Sequence, residues 1–178
     1  MNRGPLPRRK RSLVLPGPTG RSSYLPMKGC CVQVLISLKN YWDTEAVKAL
    51  LAECMRAGEE RVEEEVQSYL QDDSMRLFGS FVNGELAGLA GLCSSGEDLV
   101  IRHFVVKAKW RHKRLGSGMI EEIARAWGKG ALKAETDHEA VVFYKKAGFS
   151  VTSLGEKYPG VERFQCILPL SRSEEASL

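Results

Sequence analysis

Two segments of this chain combine residues whose types and spacing suit the binding of a phosphorylated ligand. In the first, His103 to Trp127, an apolar strand is followed by a basic turn and a helix that opens near Gly116. The start of a helix presents N–H groups and a partial positive charge to an anion, and glycine lets that anion approach the backbone. Gly116 and Gly118 are flanked by five cations: Lys107, Lys109, Arg111, Lys113 and Arg114. These residues predict a cradle for a diphosphate.

The spacing excludes two common kinds of phosphate loop. The P-loop pattern GxxxxGK[ST] is absent, and Gly116-Ser117-Gly118 lacks the third glycine of a dinucleotide fingerprint. A purely structural explanation stays open, because the two glycines could simply permit a tight turn between strand and helix. The number of flanking cations favours the ligand explanation.

The first segment resembles the signature of the GNAT superfamily of acyl-CoA-dependent N-acyltransferases. That signature is Gln or Arg, two residues, Gly, one residue, then Gly or Ala. Here it is the run from Arg111 to Gly116, with Arg114 where the family usually has its first glycine. The preceding Phe104-Val105-Val106 is similar to the family's splayed strand, whose backbone usually pairs with the pantetheine arm.

The second segment, Glu135 to Phe149, resembles another pattern of the same family. The pattern is Asn, two residues, Ala, two residues, an aromatic residue and Tyr, three residues, then Gly-Phe. This sequence matches it with Asp137, Ala140, Phe143-Tyr144 and Gly148-Phe149, so that Asp replaces Asn. The resemblance extends over residues 31 to 168.

The resemblance implies an α/β (α+β) fold, with a mixed, mostly antiparallel sheet of six to seven strands, splayed at its centre, and helices on both faces. It also implies direct transfer of an acetyl group from acetyl-CoA to an amine in a ternary complex. The residues it assigns to the cofactor are Phe104, Val105, Val106, Arg111, His112, Lys113, Arg114, Leu115, Gly116, Ser117, Gly118, Asp137 and Tyr144. The alternative is a catalytically weak acyl-CoA-binding module that acts as a sensor or interaction domain.

Tyr144 is the catalytic residue that the resemblance implies. Its hydroxyl is expected to protonate the CoA sulfur as it leaves, and backbone N–H groups of residues 104–106 are expected to meet the oxyanion. Taken without the rest of the motif, Tyr144 would be explained by core packing.

The general base is left open. On the central strand, Val100 and Arg102 are expected to face the acceptor, and strand alternation places His103 on the opposite face. Other candidates, acting through a water, are Glu97, Asp98 and Glu135. A mechanism without a base is equally open. Arg102 is assigned to the acceptor side, where it either selects a carboxylate-bearing amine or forms a salt bridge at the rim.

Hydrophobic periodicity predicts the elements that position these segments. The expected order is strand, two helices, three strands, helix, strand, helix and two strands, in a single domain. Asn83-Gly84 between two apolar runs predicts a hairpin, and Tyr158-Pro159-Gly160 predicts the turn between the last two strands. In the second helix an acidic run is expected to form a solvated surface: Glu59, Glu60, Glu63, Glu64 and Glu65.

The cysteines and the apolar runs limit the classes of protein to which this chain can belong. The five cysteines show no CxxC spacing, which argues against a disulfide framework and a zinc site and for a reducing, cytoplasmic location. No membrane partner is expected, because no run approaches the ~20 apolar residues of a membrane span.

The N-terminal segment differs in composition from the rest of the chain. Residues 1–28 hold seven of the 26 Lys and Arg and none of the 22 acids, so the remainder, with 19 basic residues, has a net charge of −3. Five of the seven prolines also lie in residues 1–26. We predict a disordered, basic, proline-rich leader over residues 1–26, an acyltransferase domain over 27–170 and a flexible tail over 171–178.

The expected partner is a small-molecule amine or a peptide amine that accepts the acetyl group. Nucleic-acid binding through the basic leader is disfavoured, because short basic clusters match often by chance. A homodimer through the last hairpin is left open.

Overall fold

The computed structural model describes residues 34–41, 43–55 and 57–170. Its elements are β1 (Val34–Ser37), α1 (Thr44–Met55), α2 (Glu59–Gln71), β2 (Met75–Val82), β3 (Glu85–Ser95), β4 (Asp98–Val106), a 3-10 turn (Ala108–Trp110), α3 (Leu115–Trp127), β5 (Ala131–Thr136), α4 (His138–Lys146), β6 (Ser150–Tyr158) and β7 (Val161–Pro169). The predicted order of strands and helices is confirmed, and the 3-10 turn is an addition to it. The predicted leader and tail, and residues 27–33, 42 and 56 of the predicted acyltransferase domain, lie outside the described residues.

The seven strands form one sheet in the order β1-β2-β3-β4-β5-β7-β6. Every neighbouring pair is antiparallel except β4 and β5, which run parallel. That parallel pair is short, because only Leu99–Ile101 pair with Leu132–Ala134. Beyond these residues the two strands separate, so the sheet is splayed at its centre, as predicted.

Two apolar clusters lie on opposite faces of this sheet. Leu50, Leu51 and Val66 of α1 and α2 form one cluster, which includes Leu89 and Val105 of the sheet. The other cluster joins α3 and α4 to the sheet through Met119, Ile120, Ile123, Tyr144, Leu99 and Ile101. Helices therefore cover both faces, as predicted, and within the described ranges no helix is long and apolar enough to cross a bilayer.

Local sequence signals account for the ends of several elements. Asp43 accepts a hydrogen bond from the backbone N–H of Ala46 at 3.0 Å and so caps the start of α1. Asn83 and Gly84 both have positive φ, 53° and 79°, the conformation that a tight hairpin turn requires at its two central residues. The Asn83-Gly84 turn joins β2 to β3 as an antiparallel hairpin, as predicted.

Candidate active site

A cleft of about 1240 Å³ opens where β4 and β5 separate. Its walls come from the end of α1, from β4, from the loop before α3 and the first turn of α3, from the end of β5 and from α4. Most of the residues assigned to the cofactor line it: Phe104, Val105, Val106, Arg111, His112, Arg114, Leu115, Gly116, Ser117, Asp137 and Tyr144. The described part of the chain thus brings both predicted segments to one cavity, although Lys113 and Gly118 do not line it.

The splayed half of β4 turns unpaired backbone groups towards the cleft. The N–H of Lys107 donates to the carbonyl of Ala87 on β3 at 2.9 Å. Because successive residues of a strand direct their backbone groups to alternate sides, Phe104 and Val106 direct theirs away from β3, where β5 no longer pairs with them. The carbonyl of Val106 accepts from Nε of Arg111 at 2.8 Å. An extended ligand could pair with this edge as a strand would.

The loop before α3 is held in an unusual conformation. His112 and Arg114 both have positive φ, 59° and 64°, a region that residues with a Cβ enter at a steric cost. Arg114 is the N-cap of α3, and its carbonyl accepts from the N–H of Gly118 at 3.0 Å and from Oγ of Ser117 at 3.0 Å. The left-handed conformation at Arg114 explains why a glycine suits this position of the signature.

Gly116 is favoured by packing rather than by its dihedral angles. A Cβ at this position would lie 3.1 Å from Cε2 of Phe143 and 3.5 Å from Cε1 of Phe104. Those two rings stack across the cleft, with centroids 5.4 Å apart and an interplanar angle of 26°. Gly116 therefore lets the first turn of α3 approach the aromatic pair that joins β4 to α4.

Only part of the predicted cationic cluster reaches the cleft. Lys107 and Lys109 turn instead to Glu85 on β3, with Nζ–carboxylate distances of 3.1 and 2.5 Å. Lys113 lies over the ring of Trp110, 4.9 Å from its centroid. Lys107, Lys109 and Lys113 therefore do not line the cleft. Arg111 and Arg114 are the cations of that cluster that line the cleft.

Tyr144 of α4 lies at the base of the cleft, and its side chain packs in the apolar cluster between α4 and the sheet. It is only 6% exposed, and its ring meets those of Phe143 and Phe149 edge to face, with centroids 5.2 Å apart in each case. Burial raises the pKa of its hydroxyl, and the thiols of Cys166 and Cys54 add to the rise when they are charged. The hydroxyl therefore keeps its proton at neutral pH.

Asp137 caps the start of α4. Its Oδ1 accepts from the backbone N–H groups of Glu139 and Ala140 at 3.0 and 3.3 Å. Aspartate performs this capping as well as the asparagine of the family pattern would. Asp137 is also one of the residues that line the cleft.

A β-bulge in β4 changes which residues face the acceptor side. Gly91 of β3 pairs with His103 and Leu92 pairs with Ile101, so Arg102 is the extra residue. Before the bulge, odd-numbered positions face α3, and after it they face α1 and α2. Arg102 and His103 both approach Glu65 of α2, at 3.3 and 3.7 Å. The prediction that alternation puts His103 on the opposite face from Arg102 is wrong, because the bulge interrupts the alternation.

Comparison with protein families matches residues 43–163 to the model described as an acetyltransferase (GNAT) domain. The chain belongs to the GNAT acetyltransferase family. A sequence comparison with curated proteins gave no significant match.

Solved structures show the same fold as this GNAT chain. The ribosomal-protein-S18-alanine N-acetyltransferase of Escherichia coli matches with a TM-score of 0.64 and 18% identity, covering 82% of this chain and 99% of that one. The spermidine N-acetyltransferase of Vibrio cholerae, in complex with CoA and spermine, matches with a TM-score of 0.65 and 14% identity, covering 79% and 96%. At these identities the likeness extends to the fold alone.

The part of the cleft beside α1 and α2 contains residues that the sequence analysis did not place there. Glu53 and Cys54 at the end of α1 line it, and burial raises the pKa of the Cys54 thiol to about 11. Glu65 was expected on a solvated surface, and that expectation is wrong, because its side chain is only 16% exposed. Glu65 lies on the same face of α2 as Val62, Val66 and Tyr69, which are buried. This helical spacing in the sequence could have predicted that Glu65 is partly buried.

Within the described ranges, no group of three His, Cys, Asp or Glu side chains is arranged to hold a metal ion. The charged groups of the cleft instead pair with one another. Arg163 of β7 donates from Nε to Glu135 of β5 at 3.0 Å, and Lys157 of β6 approaches the same carboxylate at 3.7 Å. These contacts tie the last hairpin to the acceptor side of the cleft.

Proposed function

We propose that this GNAT protein is an N-acetyltransferase that moves an acetyl group from acetyl-CoA directly to an amine in a ternary complex. The observation that carries the proposal is that one cleft is lined by the first turn of α3, by the unpaired edge of β4 and by Tyr144. These are the three parts that the transfer needs: a phosphate site, a track for an extended arm, and a proton donor.

The residues of the cleft fit the diphosphate and the arm of acetyl-CoA. Arg111 and Arg114 supply positive charge, and the first turn of α3 supplies N–H groups. Further phosphate contacts would come from His112, Leu115, Gly116 and Ser117. The N–H of Gly118 donates to the carbonyl of Arg114, and its role at this site remains a prediction. The backbone of Phe104 and Val106 would hold the arm by the pairing that β5 does not make, and Val105 between them lines the cleft and remains a prediction for the cofactor. Bound there, acetyl-CoA supplies a thioester carbonyl for the amine to attack.

Tyr144 would act where the thioester breaks. Because burial raises the pKa of its hydroxyl, Tyr144 is protonated at neutral pH and can donate to the sulfur as the C–S bond breaks. A proton from the attacking nitrogen then restores the hydroxyl. Backbone N–H groups near Phe104 would donate to the oxygen of the tetrahedral intermediate, where negative charge develops.

Arg102 would contact the acceptor. Its guanidinium pairs with Glu65, as the salt-bridge alternative anticipated, but its side chain stays 47% exposed and lines the cleft. A guanidinium in this position can still bind a carboxylate of the acceptor. Lys113 and Asp137 remain proposals for the cofactor, with Lys113 at the edge of the cradle and Asp137 at the start of α4.

The test is a calorimetric titration of the full chain with acetyl-CoA, followed by an assay of thiol release with two probes. The probes are spermidine and a peptide with an N-terminal alanine, because the structural neighbours named above act on amines of these kinds. We expect a dissociation constant on the order of micromolar and thiol release that depends on the amine. Failure to bind acetyl-CoA would overturn the proposal. Binding without amine-dependent release would favour the acyl-CoA-binding module.

A further inference from the structure

Thr136, at the end of β5, is a buried polar residue that lines the cleft. Its side chain is only 7% exposed, and its hydroxyl forms no hydrogen bond with the described residues. The Oγ of Ser80, on β2, is also unpartnered, but it is inaccessible and lies away from the cleft. Buried hydroxyls are nearly always hydrogen-bonded in folded proteins. The free hydroxyl of Thr136 therefore indicates a partner that binds in the cleft.

The splay of the sheet places this hydroxyl at the base of the cleft. Ala134, two residues earlier, forms the last pair of the parallel ladder with Ile101. Leu132 and Ala134 belong to the apolar cluster between the sheet and α3 and α4, and residues two apart on a strand share a face. Thr136 therefore lies on that face too, and its backbone is held by pairing with Phe164 of β7.

A second unpartnered hydroxyl lines the cleft from the same apolar cluster. Tyr144 is 6% exposed, and its hydroxyl also forms no hydrogen bond with the described residues. The neighbouring parts of the lining are apolar and include Ile101, Phe104 and Phe143. A thioester is uncharged and has two polar atoms on one carbon, the sulfur and the carbonyl oxygen. Two hydroxyls in an apolar surrounding suit such a group.

We propose that Thr136 is a catalytic residue whose hydroxyl donates a hydrogen bond to the carbonyl oxygen of the thioester and to the oxyanion that forms from it. This inference rests on the proposed N-acetyltransferase function. It gives the oxyanion a side-chain donor from β5, facing the backbone N–H groups of β4 across the splay. Because Tyr144 is assigned to the sulfur, each of the two free hydroxyls has its own atom of the thioester.

The electrons and protons of the step balance with Thr136 unchanged. The lone pair of the neutral amine forms the C–N bond, and the carbonyl π electrons move to the oxygen that Thr136 and β4 stabilise. When the C=O bond re-forms, the C–S bond breaks and the sulfur leaves with its electron pair. Tyr144 protonates that sulfur and recovers a proton from the nitrogen, so that the products are amide and thiol.

The side chain of Thr136 is suited to act without rearrangement. A β-branched side chain has few rotamers, so its hydroxyl is held in place before the ligand binds. The hydrogen bond strengthens as full negative charge develops on the oxygen, and a bond that strengthens in this way lowers the barrier more than it aids binding.

The kinetic test compares Thr136→Val and Thr136→Ser with wild type, using whichever of the two amine probes turns over. Valine keeps the shape and removes the hydroxyl, so we expect kcat to fall about 100-fold, with KM for the amine and acetyl-CoA affinity within about twofold. Serine keeps the hydroxyl with more rotational freedom and should recover all but about tenfold of that activity. Thr152→Val, at an exposed position of β6, is the matched control and should equal wild type. An unchanged kcat in Thr136→Val would overturn the assignment.

Unfolding in urea distinguishes catalysis from support of the fold. Thr136→Val removes a buried hydroxyl that has no partner in the free protein, so we expect this variant to be at least as stable as wild type. Lower stability, with activity lost in proportion to the unfolded fraction, would show that the hydroxyl serves the fold and would contradict the inference.

A third measurement does not depend on turnover. Infrared difference spectra of the full chain with acetyl-CoA, unlabelled and ¹³C-labelled at the acetyl carbonyl, report the stretching frequency of the bound thioester C=O. A hydrogen bond to the oxygen lowers that frequency. We expect wild type and Thr136→Ser to show a lower frequency than Thr136→Val, and the same frequency in wild type and Thr136→Val would sink the proposal.

The outcomes separate this inference from the function on which it rests. Failure to bind acetyl-CoA overturns both. Acetyl-CoA binding without turnover of either probe is a failure of the proposed enzyme function, and the infrared comparison then still decides whether Thr136 contacts the carbonyl. Turnover with kcat or the carbonyl frequency insensitive to Thr136→Val is a failure of this inference alone.

Discussion

The carboxylate of Glu53, at the end of α1, lies 3.6 Å from the guanidinium of Arg111 in the loop before α3. The contact joins the end of α1 to the loop before α3 across the cleft, and the same Arg111 donates to the carbonyl of Val106. Both side chains of the ion pair are about half exposed, so the pair is weak in water. A diphosphate that binds to Arg111 competes with Glu53 for the guanidinium.

Removing the charge of Glu53 should strengthen the binding of acetyl-CoA. We expect Glu53→Gln to lower the dissociation constant about two- to threefold, the scale of one exposed ion pair. Arg111→Ala should raise it at least tenfold, because it removes a charge-assisted contact to phosphate. Calorimetry measures both, with Lys109→Ala as the matched control, since Lys109 is paired with Glu85. An unchanged affinity in Arg111→Ala would show that the diphosphate binds elsewhere.

Replacing Tyr144 should separate turnover from binding. We expect Tyr144→Phe to lower kcat about 100-fold, since a positioned proton donor contributes an effect of that size, while acetyl-CoA affinity stays within about twofold of wild type. The exposed Tyr158 in the last hairpin provides the control, Tyr158→Phe, which should leave kcat unchanged. Thiol release with saturating amine measures the effect. If kcat is the same in Tyr144→Phe, the hydroxyl is not the acid.

Arg114 combines a useful charge with a strained backbone, and two substitutions separate these effects. Arg114→Gly relieves the positive φ of 64° and should raise the free energy of unfolding by about 1 kcal/mol. Arg114→Ala keeps the Cβ and should not stabilise the protein. Both lose the charge, so both should weaken acetyl-CoA binding several-fold. Urea unfolding and calorimetry measure the two quantities. Equal stability of the two variants would mean that the backbone at this position is unstrained.

The Glu135 carboxylate should contribute to stability in a pH-dependent way. The hydrogen bond from Arg163 lowers the pKa of Glu135 below its usual value of 4.5, and Lys157 acts in the same direction. A lowered pKa means that the contribution is present above pH ~4.5 and is lost as pH falls through the folded-state pKa. Glu135→Gln should therefore be less stable than wild type at pH 7, and the difference should narrow at pH 3. Urea midpoints at both values test this, and a constant difference would contradict it.

Local patterns in the chain predicted most of the fold and the segments of α3 and α4 that line the cleft. Hydrophobic periodicity and the Asn83-Gly84 turn depend on neighbouring residues, so they predicted the strands and helices in order. The glycine and aromatic spacings that resemble the GNAT family predicted that the start of α3 and Tyr144 belong to one site, and both line the cleft. These segments are continuous in sequence, and each carries its own geometry into the fold.

The sequence by itself thus determined the family, the order of elements and the segments that line the cleft at the start of α3 and on α4. The tertiary structure alone decided the side of the cleft formed by α1, α2 and the bulge of β4, because that side is assembled from contacts between distant residues. Tyr69 reaches His103 across 34 residues, and Lys107 turns to Glu85 across 22. The decisive event is the pairing of β3 with β4, in which a single extra residue, Arg102, moves His103 to the other face of the sheet. Register between strands is set by long-range packing, so alternation along one strand could not reveal it.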